Sequence, residues 1–328
     1  MIRGSRIASA LRWLVPLLVT SALLYGLLSE HRDAFARIDA ASLLRLAPIM
    51  LVYAFASLGV DGLALARLSH HAGRESDVLT CARIKAASYA LAIVNYALGA
   101  AALVVLFRRR VGHSLQGALG IVATSSLTDL AMLVAVMATI AAATGGDGPT
   151  LHRGVAAAVA VATIGGLAVL RAPFPLGALE RIRGLDVFRP IRTAPLRVLL
   201  ELAALRIAFV LLFVAMGIGS LWSFSIDVPL GPAAFGMAVI ALVGALPIAV
   251  AGLGTVQFAA VELYDTWADP ATLVACSLAM QAAMIVVRGG TALVFAREFT
   301  AEAVAASRAG ADGDDARGEG EDVARARR

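Results

Sequence analysis

Asp129 stands midway along a long apolar run and is flanked by Ser125, Ser126 and Thr128. An ionised carboxylate at that depth of a membrane costs several kcal/mol unless it is paired or hydrated, which makes Asp129 a candidate proton carrier. The plainer reading is a protonated Asp that bonds its neighbouring hydroxyls and only packs helices. Asp61 and Glu262 lie nearer the ends of their runs, where partial hydration accounts for them, and they complete the candidate ion-coupling carboxylates. Arg206 and Arg288 sit within about 12 Å of a predicted cytoplasmic end at the helical rise, within partial snorkelling reach. Together they could form a cationic pocket for a lipid phosphate.

A second group of residues concerns the backbone. Two apolar segments of membrane length are broken in the middle: Ala86 to Phe107 around Asn95 to Gly99, and Ala233 to Tyr264 at Pro247 and at Gly252-Leu253-Gly254. Backbone that leaves the helix at membrane depth survives only where protein or a water-filled cavity supplies hydrogen-bond partners. Gly99, Gly252 and Gly254 would let the chain unwind and approach a ligand closely; the alternative is close helix packing through small residues. Asn95 and Gln257 either bond a headgroup or satisfy the freed backbone, and the sequence leaves both open. Asn95, Gly99, Pro247, Gly252, Gly254, Gln257, Arg206 and Arg288 are therefore the candidate substrate-binding residues.

Composition sets the class of molecule that must position them. With 60% apolar and 16% charged residues among 328 and a mean hydropathy of +0.83, the chain reads as an all-α polytopic membrane protein. The formal net charge of +5 comes from basic runs between apolar segments, where they orient helices, so nucleic acid is not a predicted partner. Cys81 falls in a basic connection and Cys276 in an apolar run; the pair supports neither a disulfide framework nor a metal site. No phosphate-binding loop, His-Glu-x-x-His or Gly-x-Ser-x-Gly pattern occurs, so neither an enzyme nor a cofactor is expected.

Six segments have the roughly 20 apolar residues that a crossing requires: Ile7 to Leu28, Leu46 to Ala66, Leu115 to Thr144, Gly154 to Leu170, Val198 to Trp222 and Ala271 to Phe295. The first resembles a signal sequence without a small-x-small cleavage pattern and reads as an uncleaved anchor. Basic residues are retained on the cytoplasmic side. Arg67, Arg74, Arg83 and Lys85 precede the first broken segment and Arg108-Arg109-Arg110 follow it, so both of its ends are predicted inside. The second broken segment is bounded by Asp227 and by Asp265 and Asp269 with no adjoining base, so both of its ends are predicted outside. This yields six spans and two oppositely inserted re-entrant hairpins in a single domain, residues 1–298, with both termini cytoplasmic. The halves, about 1–144 and 154–298, form an inverted-topology repeat of the kind suited to alternating access. Residues 299–328 are too polar to fold and are predicted to be a disordered cytoplasmic tail.

The run Ala245-Leu246-Pro247-Ile248-Ala249-Val250-Ala251-Gly252-Leu253-Gly254-Thr255-Val256-Gln257-Phe258-Ala259-Ala260 resembles the Pro-x-x-x-x-Gly-x-Gly-x-x-Glu-Ala signature of the lysylphosphatidylglycerol synthase transmembrane-region family, the flippase-like domain proteins. The stretch from Asn95 to Asp129, with Gly112-His113-Ser114, is similar to that family's other half. The chain departs from the pattern at Gln257, where Glu is usual, at Ser125-Ser126, where a Glu-Arg pair is usual, and at Ala97, Ala100 and Ala101, where polar residues are usual. The resemblance implies the architecture and a lipid-handling role, and the tail is too short for the aminoacyl-transfer domain of some relatives. The expected function is movement of a polar or anionic lipid or lipid-linked precursor between leaflets of a bacterial inner membrane. The alternative is a membrane scaffold or accessory subunit that partners an envelope-biosynthesis enzyme.

Overall fold

The computed structural model describes residues 32–93, 96–143, 188–245 and 253–295 and a few isolated positions between them. Among the described residues every regular element is a helix. In chain order these are α1 (Ala40–His71), α2 (Val78–Ala92), α3 (Tyr96–Arg110), α4 (Leu115–Ala143), the short α5 (Arg189–Thr193), α6 (Leu196–Ser223), α7 (Leu230–Ala245), α8 (Thr255–Tyr264) and α9 (Pro270–Phe295). Four of them, α1, α4, α6 and α9, are long and apolar enough to cross a membrane. They coincide with four of the six spans expected. The other two, Ile7 to Leu28 and Gly154 to Leu170, lie outside the described residues, as do Asn95, Pro247, Gly252 and the tail.

Helix starts are set by short polar side chains that accept from otherwise orphaned backbone N–H groups. Asp39 accepts from Ser42 N at 2.7 Å before α1, and Asp77 accepts from Thr80 N at 3.1 Å before α2. Those bonds hold both carboxyls below their usual range. Ahead of α4, Gly112 takes a positive φ of 75° and Ser114 Oγ accepts from Gly117 N at 3.0 Å. Between them His113 is buried and bonds Ser69 Oγ at 2.8 Å, while Ser69 also donates to Arg74 O. This contact ties the end of α3 to the end of α1.

That tie defines how the helix pairs run. We call the end of the bundle where α1 starts proximal and the end where it finishes distal. The α2–α3 pair leaves the distal end at Asp77 and returns to it at His113. The α7–α8 pair does the opposite: Tyr264 Oη donates to Ala233 O at 2.9 Å, so the end of α8 meets the start of α7. A methyl group added at Gly244 would touch Val256 Cγ2 at 3.5 Å, which joins the other ends of the same pair. Proximal placement follows from Asp269, which caps α9 through Ala271 N at 3.0 Å and lies 3.8 Å from Arg37, just before α1. Helices of 10–16 residues reach only about 15–24 Å, short of the ~30 Å of hydrocarbon. Both ends of the α2–α3 pair lie at the distal end of the bundle and both ends of the α7–α8 pair at the proximal end.

The apolar interior is divided. One cluster joins Leu46, Met50, Tyr53, Leu133, Val136, Val210, Val214 and Met280 toward the proximal end. Another joins Ala64, Leu65, Ile84, Phe107, Ile121 and Leu202 toward the distal end. Along α1, α4 and α6 the two clusters leave a gap at residues 54–63, 123–132 and 203–209. Helix α6 runs antiparallel to α1, with residue 206 beside 61 and residue 219 beside 49. The expectation that residues 81–85 form a basic connection is corrected here. Helix α2 starts at Val78, Cys81 and Ile84 are fully buried in it, and Lys85 faces the bundle. Asp77 starts that helix early enough to take them in.

Candidate functional site

The gap between the two apolar clusters holds charge. Arg206 on α6 is fully buried and its Nη1 donates to Asp61 Oδ1 of α1 at 2.6 Å. The same nitrogen lies 3.0 Å from Asp129 Oδ1 of α4. Lys85 on α2 approaches the second oxygen of Asp61, with Nζ 3.4 Å from Oδ2. One turn further along α2, Tyr89 packs its ring beneath the Arg288 guanidinium of α9, 5.0 Å from the ring centroid, and Arg288 Nη2 lies 3.4 Å from Tyr53 Oη of α1. Five helices thus contribute one charged side chain each: two carboxylates and three cations. Ten residues separate Asp61 from His71 and Arg206 from Leu196, so the layer lies ~15 Å below the distal end.

Pairing is what makes this layer tolerable. Charges out of water cost several kcal/mol each unless they are mutually compensated and hydrogen-bonded. Compensation is incomplete here, since Arg206 Nε and Nη2 are buried and make no hydrogen bond among the described residues. Asp129 Oδ1 is near Arg206 but not aligned for a hydrogen bond. Exposure also divides the layer. Asp61 and Arg206 are 2% and 0% exposed, whereas Lys85 and Asp129 are 21% and 29% exposed. The inner pair is sealed and the outer groups are reachable.

Sequence expectations fare unevenly at this layer. Asp61, Asp129 and Arg206 are brought into direct contact, and Arg288 joins them through Tyr53 and Tyr89. Asp61 is not the hydrated helix-end carboxylate expected: α1 runs on past Ala66 to His71, and α2 and α6 cover it. Arg206 does not snorkel, because Asp61 holds it inward. Lys85, Tyr53 and Tyr89 belong to the layer although sequence reasoning misses them. A signal for them exists, since Tyr53-Ser57-Asp61, Lys85-Tyr89 and Ser125-Asp129 are polar residues four apart, one helix face each.

The other candidates sit elsewhere. At the start of α8, Gly254 has φ +88° and its N–H donates to Gln257 Oε1 at 2.6 Å. Gln257 therefore closes the helix start, and its buried Nε2 makes no hydrogen bond among the described residues. Gly99 serves packing, because a side chain there would collide with Ala92 at the end of α2. Glu262 is exposed on α8 and lines an open apolar groove with Val239, Val243, Phe258 and Leu263, apart from the charged layer. No group of three or more potential metal ligands occurs among the described residues. Comparison of the chain with protein-family models, with curated proteins and with solved structures found no match.

Proposed function

We propose that this chain moves a polar, anionic lipid or lipid-linked precursor between the leaflets of a bacterial inner membrane, as a non-enzymatic transporter of the flippase-like kind. The observation that carries this reading is the charged layer at membrane depth, built by five helices and touched by the first broken pair through Lys85 and Tyr89. Such a layer adds little stability over an apolar one, and ionisable residues inside a membrane characteristically mark substrate or ion pathways.

The helix pairs supply the moving parts. With Ile7 to Leu28 and Gly154 to Leu170 as further spans, α2–α3 and α7–α8 become re-entrant hairpins inserted from opposite faces, and the chain becomes an inverted repeat with cytoplasmic termini. Rocking of one half against the other would open the layer to each face in turn. The positive-φ turn at Gly254 starts α8 inside the bundle, and helix N-termini favour anionic groups. Asp129, the more exposed carboxylate on Arg206, is the group assigned to proton coupling.

The test is flux of a fluorescent phosphatidylglycerol across proteoliposome leaflets, read by quenching from outside, with and without an imposed pH gradient. Wild type should accelerate exchange and respond to the gradient. Asp129→Asn should still exchange lipid but lose the gradient response, because Asn keeps the shape and cannot ionise. Absence of lipid exchange by folded wild-type protein would refute the transport reading, and an unchanged gradient response in the variant would refute the role of Asp129.

A further inference from the structure

The charged layer is unequal in how its cations are compensated, and the inequality points to what the site receives. Asp61 is shared by Arg206 and Lys85, and Asp129 faces Arg206. Arg288 stands in no ion pair among the described residues; its partners are Tyr53 Oη at 3.4 Å and the Tyr89 ring at 5.0 Å. A tyrosine hydroxyl and a ring face orient a guanidinium, but neither cancels its charge. Counted with both carboxylates ionised, two negative charges meet three positive ones. One positive charge is left over, and it resides on Arg288.

Position reinforces the assignment. Arg288 is half-buried, whereas Arg206 is sealed, so of the two arginines it is the uncompensated one that is open to a ligand. It sits beside the end of α2, since a methyl group added at the adjacent Gly289 would lie 3.6 Å from Ile93 Cδ1. Lys85 lies on the same ring as Arg288, its Nζ 6.0 Å from the Tyr89 centroid, so an anion on Arg288 would also feel a second, partly exposed cation. A guanidinium offers paired N–H donors in the geometry of phosphate oxygens.

We infer that Arg288, oriented by Tyr53 and Tyr89, is the receptor for the cargo's anionic group, and that this group is a singly charged phosphodiester of a lipid headgroup. This rests on the transport reading for its cargo but assigns the recognition step separately. Arg206, placed by sequence in the same phosphate pocket, is instead the clamp that holds Asp61 and Asp129. A phosphomonoester, with close to two charges at neutral pH, overfills the layer. A zwitterionic phosphodiester brings an extra cation that the layer has no free carboxylate to accept.

The experiment measures binding without transport. Purified protein in a neutral detergent is titrated with dioctanoyl phosphatidylglycerol, dioctanoyl phosphatidylcholine, dioctanoyl phosphatidic acid or inorganic phosphate, and the thermal unfolding midpoint is followed. Phosphatidylglycerol should bind most tightly, and Arg288→Gln should weaken it by about tenfold or more, the scale of one charge-assisted contact. Arg288→Lys should keep part of the affinity, because charge survives without the fork. The unliganded variants should melt close to wild type, since removing Arg288 strands no carboxylate; Tyr53→Phe, which removes only the hydroxyl, gives an independent and smaller loss. Equal affinity of Arg288→Gln and wild type, equal binding of the four probes, or phosphate binding without phosphatidylglycerol binding would each overturn the inference. Selective binding in a protein that shows no flux would leave the inference standing and remove the transport reading instead.

Discussion

Replacing Arg206 by Met tests whether the charged layer is held as the distances imply. Met roughly fills the space of the arginine stem, so little cavity forms, and the effect isolates the charge. Removing one partner of a buried ion pair costs about 3–5 kcal/mol, mostly because the other charge is left uncompensated. Two features pull toward the lower limit. Lys85 remains 3.4 Å from Asp61, and Asp129 is 29% exposed and can recruit water. The expected loss is therefore about 3 kcal/mol, read from equilibrium unfolding in mixed detergent micelles. Adding Asp129→Asn to Arg206→Met removes the stranded carboxylate but keeps the Asp61–Lys85 pair. That double variant should recover about 1 kcal/mol, a coupling within the usual range for contacting residues. A cost of Arg206→Met below about 1 kcal/mol, together with strictly additive behaviour of the two substitutions, would refute the argument that these charges are paired at depth.

Three other outcomes follow from local geometry. Gly254→Ala should cost about 1–2 kcal/mol, the penalty of a left-handed backbone for an L side chain, and Gly254→Leu should in addition abolish lipid flux while leaving membrane insertion intact, as checked by fractionation and proteoliposome exchange. His113 is held below its usual value of 6.5 by burial and, secondarily, by Arg74; the fold favours the neutral ring, so this contribution is fully present above pH ~6.5 and declines as the pH falls below it. Unfolding midpoints at pH 7.5 and 5.5 should then differ more in wild type than in His113→Gln, and equal differences would dismiss the Ser69 contact as pH-sensitive. Ser114→Cys and Trp267→Cys, at the distal and proximal ends, should react with an impermeant thiol reagent from opposite sides of the membrane, Ser114→Cys from the cytoplasmic side, and labelling of both from one side would break the topology.

The properties that can be read from the chain alone are periodic or additive. The apolar runs of α1, α4, α6 and α9 are legible because a bilayer demands about 20 apolar residues in a row, a property of one segment alone. The start of α8 is legible because Gly254 acts on the backbone locally. The depth of Asp129 is a count along one helix. None of these identifies a partner. Arg206 meets Asp61 across 145 positions and Arg288 meets Tyr53 across 235, and such contacts depend on how helices rotate and pack, which no single run encodes. For that reason Arg206 and Arg288 look equivalent in the chain and prove opposite in the fold: one is sealed between two carboxylates, the other contacts Tyr53 and Tyr89 and stands in no ion pair among the described residues. Lys85 reads as a topogenic loop charge until the helix that starts at Asp77 turns it toward Asp61. The electrostatics of the site is a pairwise quantity that decays within a few ångströms, so only the tertiary arrangement decides which cation is left for a ligand.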